Sequence, residues 1–103
     1  MQQKVTMAAV LLVLSAAQTV LAQDKADIAA GAEVYATHCS SCHGVRLANS
    51  GGIPDLKALR PDDKPKFDAV VTDGKGGQMP GWDGILTPEQ INQVWAYIRS
   101  VAD

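Results

Sequence analysis

Apolar residues recur along this chain at helical spacing, and no stretch alternates with a two-residue period long enough to make a strand. Ile28, Gly31, Ala32, Tyr35 and Cys39 share one face of a helix, for which Asp27 is the expected cap. That helix should run through Cys39-Ser40-Ser41-Cys42-His43 and stop near Gly44. Asn49, Ser50, Gly51, Gly52 and Pro54 then spell a loop, and Leu56 and Leu59 a short helical turn after it. Asp62, Asp63 and Pro65 open a second short helix with a buried stripe of Phe67, Val70 and Val71, ended by Gly74. Lys75 to Gly84 forms another glycine-rich loop, mobile by its composition, containing Met79, Pro80 and Trp82. The last helix carries its own punctuation: Thr87 caps it, Pro88 fits its first position, and Gln90 completes a capping box. Ile91, Val94, Trp95 and Ile98 form its apolar stripe, with Tyr97 and Val101 beside it. The expected fold is all-α, with about three to five helices and long loops. Loops this long in a small domain need something to pack against.

The amino-terminal segment has a different character. Lys4 precedes an apolar run from Met7 to Val13, and Val20-Leu21-Ala22 offers small residues around a cleavage point before Gln23. Ser15, Gln18 and Thr19 interrupt the run, which leaves it short for a membrane span. Residues 1–22 therefore read as a cleavable export signal and 23–103 as one small mature domain, without a membrane span and located in a bacterial periplasm.

Composition narrows the function. The chain has 103 residues, with 9 basic against 11 acidic side chains and a net charge of −2. No basic field is available to hold nucleic acid, and so few aromatics cannot supply a base-stacking platform. The length excludes a Rossmann enzyme or a two-domain catalyst, and an apolar core of this size is only marginally stable without a staple. Two cysteines allow at most one disulfide.

Those two cysteines carry the strongest signal. Cys39-x-x-Cys42-His43 is the pattern for covalent attachment of a c-type haem. Cysteines three apart on a helical turn point the same way, so both thiols can reach the vinyl groups of one porphyrin, and His43 is placed to meet the iron from that side. A disulfide-exchange pair would normally follow a strand, and here the motif follows a helix. A zinc site would need further ligands, and the other histidine, His38, adjoins Cys39. A Cys39–Cys42 disulfide would close a tiny loop and stabilise little. For the sixth iron ligand, His38 is on the wrong side. Met79 is the one methionine remaining after the signal is removed, and it sits in a loop where no core needs a gap-filler. With His43 and Met79 both on iron, no position remains for a substrate, and the expected function is outer-sphere electron transfer without catalysis. One covalent haem per chain would also supply the missing apolar centre.

With these residues in place, the chain resembles the small class I cytochromes c over nearly all of residues 23–103. The resemblance implies a small cytochrome c fold wrapped around the haem, with the first and last helices crossing at close range. Gly31 and Tyr35 match the family's glycine and aromatic before the first cysteine, and Val94 and Tyr97 its packing pair on the terminal helix. Pro54 matches the proline whose carbonyl accepts a hydrogen bond from the proximal histidine. More narrowly, Ser50-Gly51-Gly52-Ile53-Pro54-Asp55-Leu56, then Phe67 with Val70 and Val71, then Met79-Pro80-Gly81-Trp82, are similar to the cytochrome portions of quinohaemoprotein alcohol dehydrogenases. They are also similar to small periplasmic cytochromes that accept electrons from pyrroloquinoline-quinone dehydrogenases. The resemblance implies a periplasmic dehydrogenase as donor, an oxidase or another cytochrome as acceptor, and a monomeric carrier. The arginine often seen after Pro-Asp-Leu is Lys57 here, with Arg60 one turn later, a departure from the pattern. The resemblance gives Trp82 two roles, donating its indole N–H to a haem propionate or covering the haem edge. Trp95 reads as core.

Arg46, Lys57, Arg60, Lys64, Lys66 and Lys75 can ring an exposed haem edge and steer an acidic partner. The interleaved Asp55, Asp62, Asp63, Asp68 and Asp73 read instead as a mixed solvated surface, which is the reading we favour. Two other functions compete with a diffusing carrier: a haem enzyme or gas sensor with a labile sixth ligand, and a tightly bound haem subunit of a larger dehydrogenase or oxidase.

Overall fold

The computed structural model describes residues 2–48 and 53–102, with side chains described from residue 19 onward. Four helices organise these residues: α1 (Gln2–His38), α2 (Ser40–His43), α3 (Lys64–Asp73) and α4 (Pro88–Val101). Short 3-10 turns at Val45–Leu47, Leu56–Ala58 and Pro61–Asp63 connect them. Among the described residues the only β pairings are isolated bridges, Lys75 with Met79 and Asp83 with Leu86. The all-α expectation holds.

The first helix departs from the sequence reading. Asp27 does not begin it; α1 runs unbroken through that position from Gln2. The Asp27 carboxylate accepts from the Gln23 side-chain amide one turn earlier, at 3.2 Å, and caps nothing. The physical reason is upstream composition. No glycine or proline stands between Gln2 and Ala30, and alanine, leucine, glutamine and lysine are strong helix formers, so nothing stops the helix. Val20 and Leu21 on this extension are each 61% exposed.

The core begins at Gly31. It consists of Tyr35, Leu47, Phe67, Val71, Leu86, Ile91, Val94 and Ile98. Helices α1 and α4 cross at Gly31, where a Cβ would lie 1.8 Å from the Gln93 carbonyl oxygen. Glycine is therefore what permits the crossing, and one turn later the rings of Tyr35 and Tyr97 meet at 5.4 Å. Helix α3 joins this pair through Phe67, whose ring lies 5.0 Å from Trp95. The capping box on α4 is present as read: Thr87 Oγ1 accepts from the Gln90 amide at 3.1 Å, and Gln90 Oε1 accepts from the Thr87 amide at 2.9 Å. The helix α3 ends at Gly74, whose φ of 81° and close approach to the Met79 carbonyl exclude a side chain.

Several apolar side chains remain half-buried against this core: Leu56, Leu59, Met79 and Trp82. Leu59 is fixed through its carbonyl, which accepts from the Arg99 guanidinium on α4.

Candidate functional site

The attachment motif sits on a single turn at the end of α1. Cys39 leaves the helix at φ −118° and ψ −31°, and α2 follows as one turn. The turn is held by backbone bonds. Cys39 N–H donates to Tyr35 O at 2.9 Å, His43 N–H to Cys39 O at 3.0 Å, and Gly44 N–H to Ser40 O at 2.8 Å. Gly44 closes it at φ 88°, with its Cα packed so near the Ala48 carbonyl that a Cβ would fall 1.7 Å from the oxygen. From inside the core the Tyr35 hydroxyl donates to the Gly44 carbonyl at 2.6 Å. This bond locks the residue immediately after His43. Burial, then the neighbouring Cys39, pushes the Tyr35 phenol up to about 12, so it remains a donor.

Both cysteines are free, Cys39 half-buried and Cys42 exposed. Burial, with the nearby Cys42 adding to it, pushes the Cys39 thiol up to about 11. A disulfide-exchange cysteine needs the opposite shift, because the thiolate is the nucleophile. The raised Cys39 thiol gives the disulfide-exchange alternative no support. Among the described residues no group of three or more His, Cys, Asp or Glu side chains is placed to hold a metal ion by itself.

His43 shows a different feature. Its Nδ1 is buried and has no hydrogen-bond partner. Burial holds the imidazole below its ordinary range, which favours the neutral ring that an iron takes as a ligand. Pro54, the acceptor implied by the resemblance, is exposed, and its carbonyl does not bond His43 Nδ1 in this structure. Ser50, Gly51 and Gly52 of the preceding motif lie outside the described residues. A half-buried imidazole beside two free thiols on one turn fits a covalently attached haem. Cys39 and Cys42 would hold its edge and His43 its iron.

Met79 corrects one sequence expectation. Its loop is not loosely attached, and Met79 itself packs against the hydrophobic core. Lys75 and Met79 exchange backbone bonds at 3.0 and 3.3 Å. Trp82 N–H donates to Val71 O at 2.8 Å, and Asp83 N–H to Thr72 O at 3.2 Å. Gly81 lies so close to the end of α3 that a Cβ would sit 2.7 Å from Thr72 O. Gly74 and Gly81 therefore admit tight backbone packing, while Gly76, Gly77 and Gly84 stand in open space. Trp82 reaches the end of α1, one residue before the attachment turn: its ring lies 5.2 Å from that of His38, edge to face. This contact and the Tyr35–Gly44 bond escaped the sequence reading. Both join residues that no spacing rule connects.

Lys57 and Arg60 both serve the connecting turns. Lys57 N–H donates to Asp55 Oδ1 at 2.9 Å, and Arg60 N–H to Asp63 Oδ2 at 2.8 Å. Lys64 bridges α3 and α4, bonding Asp68 at 2.8 Å and Asn92 at 2.9 Å. An open cleft of about 370 Å³ beside it, lined by Thr72, Asp83 and Ile91 among others, contains none of the haem-site residues.

This helical shell and attachment turn define a small c-type cytochrome, a protein that carries covalent haem. The comparisons agree, and the chain belongs to the cytochrome c family: residues 26–98 match the family model described as cytochrome C oxidase, cbb3-type, subunit III. It is 37% identical over 79 residues to quinohemoprotein alcohol dehydrogenase ADH-IIG of Pseudomonas putida, covering 76% of this chain and 11% of that protein. It is 37% identical over 89 residues to cytochrome c6 of Limnospira maxima, covering 75% of this chain and 96% of that protein. A third relative is the cbb3-type oxidase subunit FixP of a Bradyrhizobium strain, 34% identical over 83 residues, with 73% of this chain and 28% of that protein covered. The solved structure of ADHIIG from Pseudomonas putida HK5 superposes with a TM-score of 0.68 at 40% identity, over 77% of this chain and 12% of that one. The chain thus spans a small fraction of the dehydrogenase and the oxidase subunit but nearly all of cytochrome c6. The family carries covalently bound haem c with iron and transfers electrons through it. Among the described residues no helix is long and apolar enough to cross a membrane.

Proposed function

We propose that this protein is a periplasmic one-electron carrier with His43 and Met79 as axial ligands. In this reading it takes electrons from a quinoprotein dehydrogenase, passes them to an oxidase or another cytochrome, and catalyses no reaction of its own. The observation that carries the reading is the placement of two free cysteines and half-buried His43 on one turn locked by backbone bonds. When bound, haem supplies reversible one-electron chemistry at iron. The residues do the rest. Cys39 and Cys42 hold the porphyrin edge, and the Tyr35–Gly44 bond fixes the backbone from which His43 reaches the iron. The Pro54 carbonyl is the acceptor proposed for the His43 Nδ1–H. Met79, whose N–H and carbonyl both pair with Lys75, would supply the second iron ligand. Trp82 covers the haem edge or donates to a propionate.

Cleavage after Ala22 would remove only residues ahead of the core. Among side chains from residue 19 onward, burial begins at Gly31. The dehydrogenase donor and the extracytoplasmic location rest on the similarity to quinohemoprotein alcohol dehydrogenases. A monomeric carrier is part of this proposal.

Substitution of Met79 by alanine tests the ligand assignment. The haem should stay attached, the far-red sulfur-to-iron band should vanish, the potential should fall, and the reduced protein should take up carbon monoxide. An unchanged spectrum and potential would refute Met79 as ligand.

A further inference from the structure

His38 precedes the first haem-attaching cysteine and takes no part in attachment. Trp82 lies three residues beyond Met79. Their rings meet edge to face, with centroids 5.2 Å apart and planes at 66°. The described ring contacts each make a different joint. Tyr35–Tyr97 joins α1 to α4, Phe67–Trp95 joins α3 to α4, and His38–Trp82 joins the end of α1 to the Met79 loop.

The third joint differs in what it connects. One side is the last residue of α1, directly before the turn that carries Cys39, Cys42 and His43. The other is the loop that carries Met79. That loop is anchored by backbone bonds to α3, through Trp82 N–H to Val71 O and Asp83 N–H to Thr72 O. Those bonds fix its position relative to α3 and leave its distance from the attachment turn to side-chain packing. Trp82 is well suited to transmit that packing. Its carbonyl also accepts from Ile85 and Leu86 at 3.0 and 2.9 Å, so its backbone is held while its ring rests on His38. A ring held this way resists outward movement of Met79-Pro80-Gly81, a segment of backbone with no room to shift toward α3.

We infer that His38 is a positioning residue: its contact with Trp82 clasps the Met79 loop to the haem-attachment turn and holds the sixth ligand on the iron. This deepens the His43/Met79 reading and rests on it. The role requires an aromatic edge and no charge. An edge-to-face pair contributes enough to change the closed-to-open ratio of the loop by about two- to tenfold.

The test uses the mature, haem-loaded protein with carbon monoxide as the probe. Uptake by the reduced form is rate-limited by departure of Met79, and the far-red band of the oxidised form reports Met79 on iron. His38→Ala should accelerate uptake by about two- to tenfold, and His38→Phe, which restores a ring edge, should return it close to the starting rate. Trp82→Leu should act in the same direction as His38→Ala. The double variant should be no faster than the faster single variant, because one contact is removed only once. Equal uptake rates in the unsubstituted protein and His38→Ala would overturn the clasp, as would additive effects in the double variant or failure of phenylalanine to rescue. If the unsubstituted oxidised protein lacks the far-red band, the ligand assignment falls first and the clasp with it. If the band is present and His38→Ala changes nothing, only the clasp falls.

Discussion

Substitution of Gly31 by alanine gives a prediction whose sign separates two physical effects. In an isolated helix the change is favourable, by about 1 kcal/mol, because glycine is the weaker helix former. In this fold a Cβ would lie 1.8 Å from Gln93 O, 2.4 Å from Gln93 C and 3.0 Å from Val94 N. All three are backbone atoms of α4, so no side-chain rotation relieves the clash. To reach ordinary contact the helices must separate by roughly 1.5 Å. Overpacking of a tight contact costs about 1–3 kcal/mol. Separation also loosens the Tyr35–Tyr97 pair one turn away, a contact worth about 1 kcal/mol. The packing cost exceeds the propensity gain, and the net destabilisation should be about 1–3 kcal/mol. The assay is guanidinium unfolding of the oxidised, haem-loaded protein followed by far-ultraviolet circular dichroism. Gly77→Ala is the control, since a Cβ there meets nothing within 4 Å. A Gly31→Ala protein as stable as the parent would refute the close crossing and the packing argument built on it.

Other outcomes follow from the same geometry. Tyr35 has its phenol raised to about 12 against an ordinary value of 10.0, so the folded state holds that proton more tightly than the unfolded chain. Its contribution to stability is complete below about pH 10 and is lost as pH rises toward 12. Tyr35→Phe should flatten that alkaline loss in a pH series of unfolding curves, and an unchanged slope would place the titration elsewhere. Lys64 is already engaged by Asp68 and Asn92, which argues against a docking role. Neutralising Lys64 and Lys66 together should leave the salt dependence of electron transfer unchanged, measured by stopped-flow reduction. A weaker salt dependence would return both to the docking surface.

Much of the fold was legible because local chemistry decides it. The Thr87–Gln90 box, the Pro88 start and the Ile91–Val94–Ile98 stripe name α4 without any tertiary information. The same holds for the end of α3 at Gly74, where backbone geometry demands glycine. The start of α1 was misread because a potential cap at Asp27 cannot interrupt a helix whose preceding residues also favour helix. The Met79 loop was misread for a related reason. Glycine signals freedom in a sequence, yet Gly74 and Gly81 are here the places where backbones touch. At the site, the spacing of Cys39, Cys42 and His43 was readable because it obeys a local rule. The Tyr35 hydroxyl bond to Gly44, the Arg99 bond to Leu59 and the His38–Trp82 contact depend on how distant segments dock, which periodicity does not encode.

The most direct test of the whole account is a visible spectrum of the exported, matured protein when oxidised, then reduced, then reduced under carbon monoxide. The account predicts sharp low-spin bands, a weak far-red band in the oxidised state, and only slow uptake of carbon monoxide, limited by departure of Met79. A high-spin spectrum, or prompt carbon monoxide binding, would contradict it and mark an iron open to catalysis or sensing.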